Sequence, residues 1–172
     1  MCKLIKEEVQ QLINNLIQIE QVSTTLYLAM AAYLDRKNYT GMANWLRVQS
    51  EEERTHLLTL IDYLTGKDGV VKLGQVPAQK DDFGTPLQTF ERALEHEQYV
   101  TNAYRQAHDY IKNVDPQTVV IVQDFLREQI DEEAQTLNIV ERLKIADENS
   151  SALLLLDQEL GQRQPATAAA GG

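Results

Sequence analysis

Glu53-Arg54-Thr55-His56 sets a carboxylate and an imidazole three residues apart, which makes them neighbours on one face of a helix. Such a pair suits a hard or borderline divalent metal, and iron, manganese and zinc all accept it. Other acidic and amide side chains fall where an apolar residue is expected. Glu20 interrupts the run Leu12, Leu16, Ser23, Tyr27, Met30, and Glu97 interrupts Phe90, Leu94, Thr101, Tyr104. Gln129 and Glu132 interrupt Val122, Phe125, Thr136, Ile139, while Glu53 and His56 interrupt Leu46, Gln49, Leu60. Each run has the spacing of a core-facing helical stripe. One inward Glu on a stripe is ordinarily a solvated edge, and one Glu-x-x-His arises by chance. Their coincidence on four segments is what points to chemistry.

Four long helices must carry these residues. Leu4 to Arg36 has neither Gly nor Pro and holds the first stripe. Lys37 to Gly41 breaks it, with Thr40 expected as an N-cap, and Met42 to Thr65 forms a second helix ended by Gly66. Residues 66–84 contain four of the eight glycines, with Pro77, and no helical period. Thr85-Pro86-Leu87-Gln88 has the N-cap, Pro and Gln of a sharp helix start, and that third helix runs to about Asn113. Asp115-Pro116 begins a fourth that reaches about Ala146, Ser151 to Leu160 forms a short fifth, and 162–172 is expected as a flexible tail after a domain spanning 1–161. Nothing reads as strand, so the fold class is all-α. The loop between helices two and three is too long for a tight turn. It fits a crossover along a four-helix bundle.

At about 1.5 Å per residue, Glu20 lies about 24 Å from the first turn, and Glu53 and His56 about 18 and 22 Å. Glu97 lies about 24 Å from the second turn, with Gln129 and Glu132 about 20 and 24 Å from it. The six polar side chains therefore reach one level. The halves also rhyme: Glu20-Gln21 precedes Tyr27 by seven residues, as Glu97-Gln98 precedes Tyr104. Burying four carboxylates uncompensated costs several kcal/mol per ion, of order 5 or more, before their repulsion. They can stay protonated, recruit Lys or Arg, or bind cations. No Lys or Arg lies on the inward stripes at that level, and two divalent ions would cancel four charges.

Composition narrows the classes. The net charge of −10 and the lack of any Lys/Arg run disfavour nucleic acid. The longest apolar stretch, Ala152 to Leu156, is far short of the ~20 residues of a membrane helix. No signal segment is expected, so a cytoplasmic location is. The lone Cys2 excludes a disulfide framework and a thiolate site. By phase, His96 and His108 fall on exposed or edge positions, outside the ligand set.

The phrases IEQVSTTLYLAMAAYLD, EEERTHLLTLIDYL, LEHEQYVTNAY and LREQIDEEA together resemble the ferritin superfamily, most closely the non-haem bacterial-type ferritins, over about residues 5–161. The resemblance implies that Glu20, Glu53 and His56 hold one iron and that Glu53 bridges to a second, held also by Glu97 with Gln129 and Glu132 close by. It implies Tyr27 as an electron donor beside this centre. The reaction implied is oxidation of two Fe(II) by O2 or peroxide, with ferric mineral stored in a homo-oligomeric cage of twenty-four chains. Helix four carries Gln129-Ile130-Asp131-Glu132 in place of a second Glu-x-x-His, so the second metal should be held more weakly. Haem is not expected, Met30 and Met42 being the methionines from which an axial ligand would come.

Glu52, Glu128 and Asp131 each precede an inward residue by one. If helices two and four are antiparallel neighbours, these offsets share one side of the interface. Together with Glu132 they could cup a third iron, as the resemblance implies, or form a plain charged surface. Two other functions stay open at this point, a small di-iron or di-manganese oxidase and a non-catalytic structural bundle.

Overall fold

The computed structural model describes residues 4–165. Cys2 and residues 166–172 of the expected tail lie outside the described residues. Five helices and no strand are present among the described residues: α1 Glu7–Arg36, α2 Thr40–Gly66, α3 Pro86–Ile111, α4 Pro116–Ala146 and α5 Ser150–Leu160. Thr85 and Gln88 form the expected reciprocal capping box, and Asp115 accepts from Gln117 and Thr118 at the start of α4.

The start of α2 differs from expectation. Thr40 is the first helical residue, not the N-cap; Tyr39 holds the cap position and offers no side-chain bond. The missing acceptor comes from α5, more than a hundred residues away. Asp157 Oδ2 and Oδ1 accept from the Gly41 and Met42 amides at 3.1 and 2.8 Å, satisfying two of the free donors every helix start exposes. The close approach requires Gly41, because a Cβ there would lie 1.7 Å from the Asp157 carbonyl oxygen. At the other end of α2 the left-handed residue is Asp68, with φ 56°, and not Gly66.

The segment between α2 and α3 runs back along α1. Gln10 and Asn14 bond to the backbone at Val70 and Lys72, Gln18 to Gln75, and Tyr33 to Gly84. From Gln10 to Tyr33 the path covers about 35 Å of helix, most of the bundle. The crossover thereby lets both helical hairpins pack antiparallel. Pairings of residues 49 with 132, 56 with 128 and 63 with 118 show that α2 and α4 are antiparallel too.

The apolar interior is in two parts. One is built around Met30, Leu34, Met42, Leu46, Phe90 and Leu143, the other around Ile13, Ile17, Leu60, Tyr104, Ile111 and Val122. Between them lies a buried polar layer of Glu20, Ser23, Gln49, Glu53, Glu97, Thr101, Gln129 and Glu132. Polar side chains are left in so dry a place only if they are paired or used.

Candidate metal centre

Two groups of ligand atoms meet in the polar layer. Glu20, Glu53 and His56 form one and Glu53, Glu97 and Glu132 the other, each group having atoms within 4.8 Å of one another. Glu53 belongs to both. A carboxylate has two oxygens, so one shared glutamate between adjacent ligand sets is the arrangement that joins two ions as a pair.

Each candidate ligand is oriented by a neighbour. Gln49, fully buried, donates through Nε2 to Glu53 Oε1 at 3.0 Å and to Glu132 Oε2 at 2.6 Å. Gln129 Nε2 donates to Glu97 Oε2 at 3.0 Å and to Thr101 Oγ1 at 3.3 Å. The tyrosines cross over: Tyr27 of α1 donates to Glu97 of α3, and Tyr104 of α3 donates to Glu20 of α1. His56 turns Nδ1 to Glu53 at 3.3 Å and Nε2 to Glu128 at 2.9 Å, so Glu128 fixes the imidazole from behind. Within this layer one oxygen receives no hydrogen bond, the fully buried Glu20 Oε2; among the described residues the neighbouring Gln21 Oε1 is the other buried side-chain oxygen of this kind. A buried carboxylate oxygen without a donor, in a set of hard oxygens and one imidazole, fits a cation.

The electrostatics show how the layer survives without one. Burial, then the neighbouring Glu53, raises Glu20 well above the usual carboxylate range. Burial and the Glu53 and Glu132 charges push Glu97 up to about 8, and burial with Glu53 lifts Glu132 to about 7. His56 is pushed up to about 11: the Glu128 and Glu53 carboxylates outweigh the opposing burial. Glu53 stays below the ordinary value despite burial because His56 faces it. Tyr27 and Tyr104 keep their protons, held far up by burial first and by their Glu partners second. Protons and one imidazolium thus do part of the work that the expected metals would do.

A guanidinium does more of it. Arg163, within the expected flexible tail, is held: Nη2 donates to Gln49 Oε1 at 2.9 Å and to Glu52 Oε2 at 2.6 Å. The inward stripes carry no Lys or Arg, as read, but a cation reaches this level from beyond α5. Nothing in periodicity marks Arg163. Gln49 and Tyr104 were on the stripes without a role, although the Glu-to-Tyr rhyme was a signal for Tyr104.

Glu52, Glu128, Asp131 and Glu132 line one cleft of about 710 Å³ between α2 and α4. Their oxygens do not converge as a ligand group among the described residues. Glu52 is held by Arg163 and Glu128 by His56, while Asp131 is exposed. His96 departs from expectation: it is half-buried between α1 and α3, with Nε2 at 2.7 Å from Ser23 Oγ and its ring edge-on to Tyr27. Burial keeps it neutral by lowering its pKa. His108 is also half-buried, beside Gln123.

The Ferritin-like domain family model matches residues 10–146. A bacterial non-heme ferritin of Bacteroides fragilis is 34% identical over 161 residues, covering 93% of this chain and all of the relative. One of Staphylococcus aureus is 31% identical over the same length, covering 93% and 97%. Among solved structures, an open pore ferritin from the hyperthermophilic archaeon Archaeoglobus fulgidus superposes with a TM-score of 0.92 at 36% identity, over 95% of this chain and 100% of that one. A closed form of that ferritin, engineered by mutagenesis, gives 0.92 at 37% identity, over 94% and 99%. No helix among the described residues is long and apolar enough to cross a membrane.

Proposed function

Because this chain belongs to the ferritin-like domain family, we propose that it is an iron-storage ferritin with ferroxidase activity, acting on Fe(II) as substrate in the cytoplasm. Glu20, Glu53 and His56 hold the first Fe(II). Glu53 reaches across to the second, which Glu97, Gln129 and Glu132 hold. The two ions give up one electron each to O2, which takes up two protons and becomes hydrogen peroxide, or to hydrogen peroxide, whose O–O bond breaks as it takes up two protons and becomes two waters. Tyr27, bonded to Glu97, stands where it can supply a further electron. The ferric product moves on to mineral inside a cage of twenty-four copies, and the third position lined by Glu52, Glu128, Asp131 and Glu132 lies beside the pair on that route.

The chain's own residues supply the setting. His56 must give up its Nδ1 proton to bind, and Glu128 keeps Nε2–H in place as it does so. Gln49 and Gln129 hold three of the carboxylates in fixed rotamers, and the two apolar clusters exclude water on either side. The weaker donor set of the second position, an amide in place of a histidine, suits an ion that leaves.

The observation that carries this reading is Glu53 serving two adjacent ligand groups. Glu53→Ala should therefore remove fast oxidation at both positions, whereas loss of His56 should damage mainly the first. Stopped-flow absorbance after aerobic Fe(II) addition reads this, and unchanged rates in the Glu53 variant would refute it.

A further inference from the structure

Arg163 lies three residues beyond the end of α5 and is fixed from every side. Its guanidinium sits 4.1 Å from the centre of the Trp45 ring, close enough for a cation–π contact. Nη1 donates to the Trp45 carbonyl at 3.2 Å, and Nη2 to Gln49 and Glu52. The backbone is tied as well, since Asn44 Nδ2 donates to the carbonyls of Gly161 and Arg163 at 3.3 and 3.0 Å. Only 14% of the Arg163 side chain and 24% of that of Glu52 are exposed, so water screens this pair poorly. Arg163 is the cation that pairs with Glu52 on the wall of the cleft, which also includes Pro165, two residues further on.

Glu52 is also the one α2 carboxylate of the third position that is not part of the paired centre. A guanidinium stays charged at any working pH and, being tethered, never leaves the neighbourhood. It contacts the paired positions only through the Gln49 amide. We propose that Arg163 is a built-in counter-ion that occupies Glu52 in competition with metal, so that a third divalent ion enters the cleft only when the C-terminal segment lifts from Trp45. This sets an order of loading, the pair before the third position, and it rests on the metal-binding reading of the pair given above.

Zn(II) titration of the metal-free full chain by calorimetry, with anomalous diffraction of soaked crystals to place the ions, tests it. The native chain should bind two ions tightly and a third weakly. Arg163→Gln should tighten the third by about tenfold or more, with new density at Glu52 and the pair unchanged. Arg163→Lys should keep the third weak. Truncation after Gln162 should behave like Arg163→Gln, which guards against an effect peculiar to one substitution. An unchanged third affinity in both the Gln variant and the truncation would overturn the proposal and leave the paired centre standing. Weakening of the pair alone would also overturn it, by showing that Arg163 acts only through Gln49. Absence of the two tight ions in the native chain would overturn the paired reading itself, and this inference with it.

Discussion

Loading the paired centre should expel protons, and the number can be worked from the layer's own acidities. At pH 7 Glu97, near 8, is about nine-tenths protonated, Glu132, near 7, about half, and His56, near 11, fully charged. A metal binds carboxylates and neutral imidazole, so all three must give up what they hold. Together they release about two protons per chain at pH 7, and Glu20, also raised, adds to that. At pH 9 Glu97 and Glu132 are already ionised, and of these three only His56 still contributes, about one proton. The logarithm of the affinity should thus climb by about two per pH unit near 7 and by about one near 9, before Glu20 is included. Zn(II), which has no redox chemistry, is the probe. Calorimetry at each pH, in two buffers of different protonation enthalpy, counts the protons directly. Release below one proton at pH 7, with affinity flat across this range, would refute the view that protons take the place of metal in the metal-free protein.

Gln49→Leu removes the amide that donates to both Glu53 and Glu132. Metal affinity should fall roughly 10- to 100-fold in an anaerobic Fe(II) titration, and an unchanged value would mean these rotamers are set elsewhere. Asp157→Ala leaves the buried Gly41 and Met42 amides without their acceptor. It should cost about 2 kcal/mol in urea unfolding, and a cost near zero would show that water caps α2 equally well.

The helices were legible because their periodicity runs long and their breaks are chemically sharp. Thr85-Pro86-Leu87-Gln88 and Asp115-Pro116 start helices through bonds made within four residues, so local sequence suffices. Tyr39-Thr40 misled for the opposite reason: α2 is capped by Asp157, and no window of sequence contains both. The site divides in the same way. Glu20, Glu53, His56, Glu97, Gln129 and Glu132 are visible as polar intrusions on apolar stripes: the stripe phase turns them inward, and the residue count from each turn brings them to one level. Arg163 has no phase to read, since it follows the last helix and acts by reaching back. His96 was placed at the edge by phase, but the α1–α3 interface is broad enough to enclose it against Ser23.

The crossed tyrosines have a mechanical meaning. Each hairpin supplies the hydroxyl that holds the other hairpin's carboxylate, Tyr27 to Glu97 and Tyr104 to Glu20. Neither half of the chain is therefore a finished object: cut at the crossover, each would keep its glutamate and lose that glutamate's anchor. If the halves slid past each other by one helical turn, about 5.4 Å, both anchors would break in the same stroke. The two ends of the centre tighten or loosen together, as the jaws of one clamp.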